Sequence, residues 1–438
     1  MADPRPFLCV DFGSTFTKAA LVAPDGDLLG TASHPTTIST DVLDGFAACR
    51  KTLGNPEAEV LACSSAGGGL RIAVVGNEEL VTAEAGRRVA LSSGGRVVRV
   101  FAGPPEPAEL HAAEPDLVLL VGGTDGGNSE VLLACAAAIA GWSGPIVVAG
   151  NAEARAAVAD ILDEAGSTFV LADNVVPRIG VLEPASARVA IREAFLRHVI
   201  GGKHLSAGPA FGQMVRGATP DVVLTAVELL AELVGDVAVV DVGGATTDVH
   251  SVVDLDPDSI GREVVATTRV TRTVEGDLGM RWSAISTIDE AHASGLLNDE
   301  DQTAARAAAA VRHEEPDYLP VDDASREWDR RIATAAITLA LRRHAGKSQV
   351  VFSPEGRVVE RTGKDLREVG LLVGSGGVLR HAGTDASDVV STHLGSADGW
   401  QLPTEPRIVI DTDYVLAPAG LLAAGHPAAA RTLLQRLL

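Results

Sequence analysis

Several features that mark other classes of protein are scarce in this sequence. Lysine and arginine number 36 against 58 acidic residues, which gives a formal net charge of −22. Nucleic-acid binding depends on a basic surface, and anionic membranes repel an acidic one, so the charge argues against both partners. Aromatic residues make up only 3% of the chain, and its four tryptophans show no stacking pattern.

Cysteine is also rare. Cys9, Cys49, Cys63 and Cys135 are widely spaced and form no CxxC pair, so the sequence predicts neither a zinc site nor a disulfide framework. No apolar run approaches the roughly 20 residues that a membrane-spanning helix needs. The first ten residues lack the basic start and apolar run of a signal peptide. These absences predict a cytoplasmic protein with reduced thiols in its core.

The chain is long enough, at 438 residues, for two or more domains. It opens with strand signals at Phe7–Asp11, Thr17–Val22 and from Leu28, separated by turn residues. From Arg96 onward, strand-like and helix-like runs alternate. This alternation predicts a parallel α/β unit, inserted over residues 95–176.

The first hairpin carries chemistry at its turn, in VDFGSTFTK. Consecutive backbone N–H groups in a glycine turn such as Gly13 can form a nest for phosphate oxygens. Ser14 and Thr15 add hydroxyl donors, and Lys18 can place a positive charge on terminal phosphates. Asp11, at the strand end, can hold a hydrated Mg²⁺ through water. A solvated polar hairpin is the alternative explanation of this stretch taken alone.

The stretch VVDVGGATTDV repeats that chemistry 230 residues later, from Asp11 to Asp241. Gly243, Gly244, Thr246 and Thr247 stand where the first hairpin has its turn and hydroxyl residues. Two opposed loops of this kind could clamp one triphosphate and its metal from both sides. The repetition therefore predicts a duplicated two-domain protein with a cleft between its halves.

A third glycine turn follows the apolar strand of LLVGSGGVL. Its residues, Gly374, Ser375, Gly376 and Gly377, let a flat ring approach bare backbone. The chain contains no GxxxxGKS/T motif, and this turn is not GxGxxG, so the P-loop and the dinucleotide-binding fold are both excluded.

These three pieces, in this order, resemble the actin/Hsp70/sugar-kinase ATPase superfamily. The resemblance implies a duplicated ribonuclease H-like α/β fold that binds ATP and Mg²⁺, with Asp11 and Asp241 at the metal. It also implies that the two hairpins are the phosphate loops and that the late glycine turn contacts adenosine. The closing hinge motif of the superfamily is similar to residues 417–422. The expected organisation is domain I over 1–200, domain II over 201–415 with a helical part at 281–345, and a hinge helix over 416–438.

A narrower resemblance rests on four strings, CSSAGGGLRIAVVG, LLVGGTDGGN, DVGGATTDVHSV and RTVEGDLGMR. Together they resemble the glutamate mutase accessory family called MutL or GlmL, which is unrelated to the mismatch-repair protein of similar name. That family implies an adenosylcobalamin-dependent mutase as partner. The implied role is an ATP-dependent, chaperone-like reactivating factor.

One departure from the superfamily concerns hydrolysis. Hydrolysing members place Glu or Gln before the helix that leads into the second phosphate loop, whereas this chain offers Thr219 or Asp221. Asp221 is expected to serve the first helical turn, where the macrodipole favours a negative charge. Three alternatives remain: hydrolysis is slow, Asp241 orients the water, or Asp248 does so.

Three functions are consistent with these observations. The first is a slowly hydrolysing ATPase that serves a cobalamin-dependent mutase. The second is a small-molecule kinase acting on a hydroxyl or carboxylate, which would need a general base for which only Asp241 is available. The third is an actin-like or FtsA-like polymer, against which the inserted unit counts.

Overall fold

The computed structural model describes residues 5–37, 40–66, 70–77, 82–199, 205–206, 208–254, 268–353, 356–361, 363–395 and 397–438. Among the helices in these ranges, none is both long and apolar enough to cross a bilayer.

The first half of the chain is built on a five-stranded mixed sheet. β1 (Phe7–Phe12), β2 (Phe16–Val22) and β3 (Leu28–Pro35) are antiparallel, and β4 (Glu59–Ser64) and β10 (Val215–Ala218) continue the sheet in parallel. The strand order is β10-β4-β1-β2-β3. β1 is buried along its whole length because it is the central strand, covered on both faces, which explains its unbroken apolar run.

The second half repeats this sheet. β11 (Val237–Val242), β12 (Thr247–Val252) and β13 (Val270–Glu275) are antiparallel, and β16 (Leu371–Ser375) and β17 (Arg407–Ile410) continue in parallel. The order β13-β12-β11-β16-β17 matches the first sheet strand for strand. The duplication predicted from the two hairpins, and the ribonuclease H-like α/β fold that the superfamily resemblance implies, are therefore confirmed.

A third sheet is inserted between β4 and β10. It consists of β5 (Leu70–Gly76), β6 (Gly95–Ala102), β7 (Leu117–Leu120), β8 (Ile146–Val148) and β9 (Phe169–Leu171), all parallel, in the order β6-β5-β7-β8-β9. The parallel sheet thus begins at β5, before the predicted start at residue 95. An apolar run predicts that a strand forms but does not predict which sheet it joins. β5 joins the inserted sheet, where it pairs with β6 and β7.

Helices cover these sheets and connect them. Two further strands, β14 (Ser348–Ser353) and β15 (Gly356–Arg361), pair antiparallel with each other. A π-helical turn, Phe195–Val199, directly follows the helix at Ala185–Ala194. The helices are α1 (Val42–Leu53), α2 (Glu84–Ser92), α3 (Pro107–Ala112), α4 (Glu130–Ile139), α5 (Arg155–Glu164), α6 (Ala185–Ala194), α7 (Ala210–Met214), α8 (Thr219–Val234), α9 (Ala284–Ala293), α10 (Asp299–Glu314), α11 (Asp323–Ala345), α12 (Gly377–Arg380), α13 (Ala386–Ser391), α14 (Leu416–Leu422) and α15 (Pro427–Leu434).

Helices α8 and α14 form the core that both halves share. One continuous cluster of buried side chains includes Phe7 and Cys9 of β1, both of these helices, and Val237 and Val239 of β11. A Cβ atom at Gly420 would lie 2.0 Å from the carbonyl oxygen of Val222, so α14 crosses α8 at backbone contact. The two halves are therefore joined through a close helix crossing.

Candidate functional site: two glycine turns facing each other

The two hairpin turns are built in the same way. The Gly13 N–H donates to the Phe16 carbonyl at 3.1 Å, and the Gly243 N–H donates to the Thr246 carbonyl at 2.9 Å. A Cβ atom at Gly13 or Gly243 would lie within 3 Å of that same carbonyl oxygen, at 2.6 and 2.9 Å. Each turn therefore requires glycine two residues after its aspartate, because no side chain fits under the turn.

The turns also meet. A Cβ atom at Gly244 would lie 2.8 Å from Thr15 Oγ1 and 3.3 Å from Thr15 Cγ2. Gly13, Ser14 and Thr15 on one side, and Gly244 on the other, are all half-buried. The loops predicted to face each other across a cleft thus lie against each other in the folded chain.

Asp11 is enclosed at the end of β1. Its two carboxylate oxygens accept hydrogen bonds from the hydroxyls of Thr219 and Tyr414, each at 2.5 Å. Lys18 Nζ lies 4.0 Å from Asp11 Oδ2 and 4.7 Å from the centre of the Tyr414 ring. Asp11 is only 4% exposed, so these partners compensate a nearly buried charge.

Tyr414 is not among the residues predicted from the sequence, and Thr219 is predicted only as a residue that orients water. Tyr414 has a φ of 57°, a backbone conformation that bulky residues rarely adopt and that clusters at functional sites. Burial and the neighbouring Asp11 raise its pKa well above the usual value, so the hydroxyl keeps the proton that it donates. Nothing in the sequence signals this contact, which joins residues 403 positions apart.

Asp241 is the counterpart of Asp11, and its surroundings differ. It is half-buried, and its carboxylate has no hydrogen-bond or ion-pair partner within the described ranges. It lies opposite Asp248 on β12 and beside Ser375 on β16. Asp241 is therefore the carboxylate at this edge that is free to take a new partner.

Asp248 is engaged already. Arg272 Nη2 donates to Asp248 Oδ1 at 3.0 Å, and both side chains are buried. Burial raises the pKa of the Asp248 carboxyl, and the Arg272 guanidinium acts in the opposite direction. Because its carboxylate is paired with Arg272, Asp248 is less available than Asp241 to orient a water molecule.

Asp221 is likewise committed. It lies in the first turn of α8, as expected, but ion pairs rather than the helix terminus alone hold it. Arg192 Nε donates to its Oδ2 at 2.6 Å, and Arg188 Nη2 lies 3.7 Å from its Oδ1. Its side chain is 3% exposed, and the two arginines pair its charge.

The third glycine turn adjoins the second hairpin. A Cβ atom at Gly376, whose φ is +115°, would lie 2.2 Å from the Val242 carbonyl oxygen. Ser375 is in register with Asp241, and a short helix, α12, begins at Gly377. The Asp411 N–H donates to the Gly374 carbonyl at 2.9 Å. This turn therefore borders Asp241 at the same edge of the sheet.

The two threonines of the second hairpin differ. Thr246 is half-buried at the turn. The Thr247 hydroxyl is fully buried and has no hydrogen-bond partner among the described residues. The contact of Thr247 with phosphate expected from the sequence stays a prediction.

The donor set fits magnesium better than a tightly chelated metal. No cluster of three or more His, Cys, Asp or Glu side chains suited to a metal occurs in the part of the chain that is described. Mg²⁺ is commonly held by one or two carboxylates, with water and substrate phosphates completing its shell. Asp241 offers a free carboxylate, whereas Asp11, with both oxygens hydrogen-bonded, would act through water.

The duplicated sheets and the paired glycine turns define the class of the molecule as an actin-like, two-domain ATPase fold. The profile of the family described as "MutL protein" matches residues 7–438. A curated relative, "Protein MutL" of Clostridium tetanomorphum, is 36% identical over 457 residues, which cover 99% of each chain. The chain belongs to the MutL protein family.

Solved structures are more distant. Acetone carboxylase in its nucleotide-free form is 16% identical, with a TM-score of 0.40 over 96% of this chain and 70% of that one. An activator of 2-hydroxyisocaproyl-CoA dehydratase from Clostridium difficile, with bound ADPNP, is 10% identical, with a TM-score of 0.31 over 99% and 98%. A glucokinase of the ROK family from Streptomyces griseus is 12% identical, with a TM-score of 0.32 over 98% and 99%.

Proposed function

We propose that this protein binds Mg·ATP between the two glycine turns and hydrolyses it slowly as an accessory, reactivating factor for an adenosylcobalamin-dependent mutase. The observation that carries the proposal is the contact between the turns, in which Thr15 of one half lies against Gly244 of the other. Two turns of identical construction that face each other supply backbone and hydroxyl donors from both sides to one phosphate chain.

The charged side chains have separate tasks in this proposal. Lys18 places its ammonium beside the first turn and neutralises phosphate charge. Asp241 holds the metal, because it is the strand-end carboxylate without a partner in the described structure. Ser375, Gly376 and their neighbours in the third turn border the nucleoside.

Slow hydrolysis follows from the partners of the other carboxylates. The Thr219 hydroxyl donates a hydrogen bond to Asp11. Asp221 is paired with two arginines, and Asp248 is paired with Arg272. A water molecule can therefore be oriented by Asp241 alone, which also holds the metal. Slow hydrolysis suits an accessory protein that stays in its ATP-bound state for a set time better than it suits a metabolic kinase.

The mutase enters through the family. The resemblance of this chain to glutamate mutase accessory proteins is supported by the family profile. It implies that the nucleotide cycle changes how tightly the protein binds a mutase. The two nucleotide states must differ in affinity for the mutase, since otherwise ATP binding and hydrolysis cannot change how the mutase is bound.

A two-part experiment tests the proposal. Mg·ATP turnover is measured with and without the cobalamin-dependent mutase of the same organism, for the wild type and for Asp241→Asn. We expect the mutase to stimulate turnover and Asp241→Asn to reduce it at least about a hundredfold, as for loss of a directly acting charged group. Asp160→Asn, an exposed carboxylate on α5, is the matched control and should behave as the wild type.

Two results would contradict the proposal. Normal turnover by Asp241→Asn would show that the nucleotide does not bind at this edge of the sheet. Transfer of the phosphate to a small metabolite, with no effect of the mutase, would favour the kinase alternative.

A further inference from the structure

The segment that follows β13 packs directly on the second glycine turn. The backbone N–H groups of Met280 and Arg281 donate to the carbonyls of Gly243 and Gly244, at 3.0 and 2.7 Å. Ser283 Oγ donates to the Ala245 carbonyl at 2.6 Å. These three bonds mean that the turn cannot shift without moving this segment.

Arg281 extends that contact toward the surface. Its Nη2 donates to the Tyr318 carbonyl at 2.9 Å and lies 3.6 Å from Asp329 Oδ2. Arg312 also donates to Asp329, at 2.5 Å, and its guanidinium lies over the Tyr318 ring. Arg312 and Asp329 are buried, and such a desolvated, hydrogen-bonded ionic set holds a fixed geometry.

Exposed apolar side chains lie on both sides of this connection. Trp282, next to Arg281, is 51% exposed, and beyond Tyr318 in the chain Leu319 is 64% and Val321 82% exposed. The Trp282 carbonyl accepts a hydrogen bond from His313, whose ring also meets the indole edge. We call Trp282, Leu319 and Val321 the 282–321 surface.

The surroundings of the 282–321 surface are acidic. Residues 314–323, EEPDYLPVDD, contain five carboxylates and no lysine or arginine. All five carboxylate residues are exposed: Glu314, Glu315, Asp317, Asp322 and Asp323. A docking surface of this charge attracts a basic partner and repels acidic surfaces, including anionic membranes.

We infer that the 282–321 surface is the nucleotide-responsive docking site for a basic surface of the mutase that carries an exposed apolar side chain. The inference rests on the proposed function. Leu319 and Val321 supply apolar contact, and the five carboxylates select the partner by charge. Arg281 couples the surface to the second glycine turn, so the nucleotide state of the turn sets the geometry of the surface.

The test compares variants in binding to the purified cobalamin-dependent mutase, in ATP and in ADP, at low and high salt. Leu319→Ser/Val321→Ser should weaken binding at least about tenfold with unchanged basal ATP turnover. High salt should weaken the wild-type complex, because exposed charges are screened. The matched control is Ile179→Ser/Val189→Ser, two exposed apolar residues, 76% and 56% exposed, outside this surface. Arg281→Lys should retain binding but lose most of the difference between ATP and ADP.

Each failure has a separate meaning. If the wild type and Leu319→Ser/Val321→Ser bind the mutase equally well, the inference is wrong and the proposed function stands. If the wild type binds no mutase in either nucleotide, the proposed function fails, and the inference fails with it.

Discussion

Asp11 and Asp241 occupy equivalent positions in the two copies of one hairpin, yet the residues opposite them on the neighbouring strand carry opposite charges. The residue across the ladder from Asp11 is Lys18, whereas the residue across from Asp241 is Asp248. In the first hairpin the opposite charge stabilises the strand-end carboxylate. In the second, two acidic residues face each other, and Arg272 donates a hydrogen bond to Asp248 and none to Asp241 among the described residues. This asymmetry leaves Asp241 as the available carboxylate.

Tyr414→Phe tests the enclosure of Asp11. The variant keeps the aromatic ring and removes only the hydroxyl that donates to Asp11 Oδ2. We expect the free energy of unfolding to fall by about 1.5–3 kcal/mol, the usual contribution of a hydrogen bond to a charged group. Denaturant titration measures it.

The other tyrosine of the chain, Tyr318, provides the matched control. Its hydroxyl has no hydrogen-bond partner in the described residues, so Tyr318→Phe should change the unfolding free energy by less than about 0.5 kcal/mol. Equal stabilities of the two variants would show that the bond to Asp11 contributes nothing.

At the scale of the elements, the crossing of α8 and α14 connects the halves. Gly420 sits where the helix backbones touch, with Val222 O and Cγ1 at 2.0 and 2.9 Å from the position of a Cβ atom. Any side chain at residue 420 must push the helices apart. The crossing belongs to the apolar core shared by β1 and β11, so its geometry affects both sheets.

Gly420→Ala should lower the free energy of unfolding by about 1–3 kcal/mol through overpacking, although alanine is intrinsically favoured over glycine in a helix by about 1 kcal/mol. Calorimetric unfolding measures the change. Gly425→Ala is the matched control, because a Cβ atom there meets nothing within 4 Å. A Gly420→Ala protein as stable as the wild type would mean that the helices separate without cost.

At the scale of the whole molecule, the inserted unit also contacts the second half. Arg272 of β13 donates through Nη1 to the carbonyl of Leu91, in α2, at 2.9 Å, while its Nη2 holds Asp248. A Cβ atom at Gly276 would lie 2.9 Å from Arg96 Nε of β6, which marks a second contact. The insert is therefore linked to the hairpin that carries Asp241.

Arg272→Lys should loosen this link, since one ammonium cannot replace the planar guanidinium between Leu91 and Asp248. We expect faster amide hydrogen exchange at the end of α2 and a loss of stability of about 1.5–3 kcal/mol, the usual contribution of a hydrogen bond to a charged group. Arg269→Lys, an exposed neighbour paired with Asp254, is the control. Unchanged exchange in α2 would show that Arg272 does not hold the insert.

Much of this molecule was accessible from the sequence because it depends on local rules. The two turns follow from aspartate and glycine at fixed spacing between apolar runs, and each turn closes on its own backbone. Their repetition predicted the duplicated fold. The four cysteines, predicted to be core thiols, are all free and buried.

Only the tertiary structure decided which distant groups share a site. Tyr414 reaches Asp11 across 403 residues, Arg272 reaches both Asp248 and Leu91, and β5 joins the inserted sheet. None of these pairings has a local signature, because side chains far apart in sequence meet only when whole sheets and helices pack. Local backbone geometry is thus determined by short stretches of sequence, whereas the partners and the availability of each carboxylate depend on the packed fold.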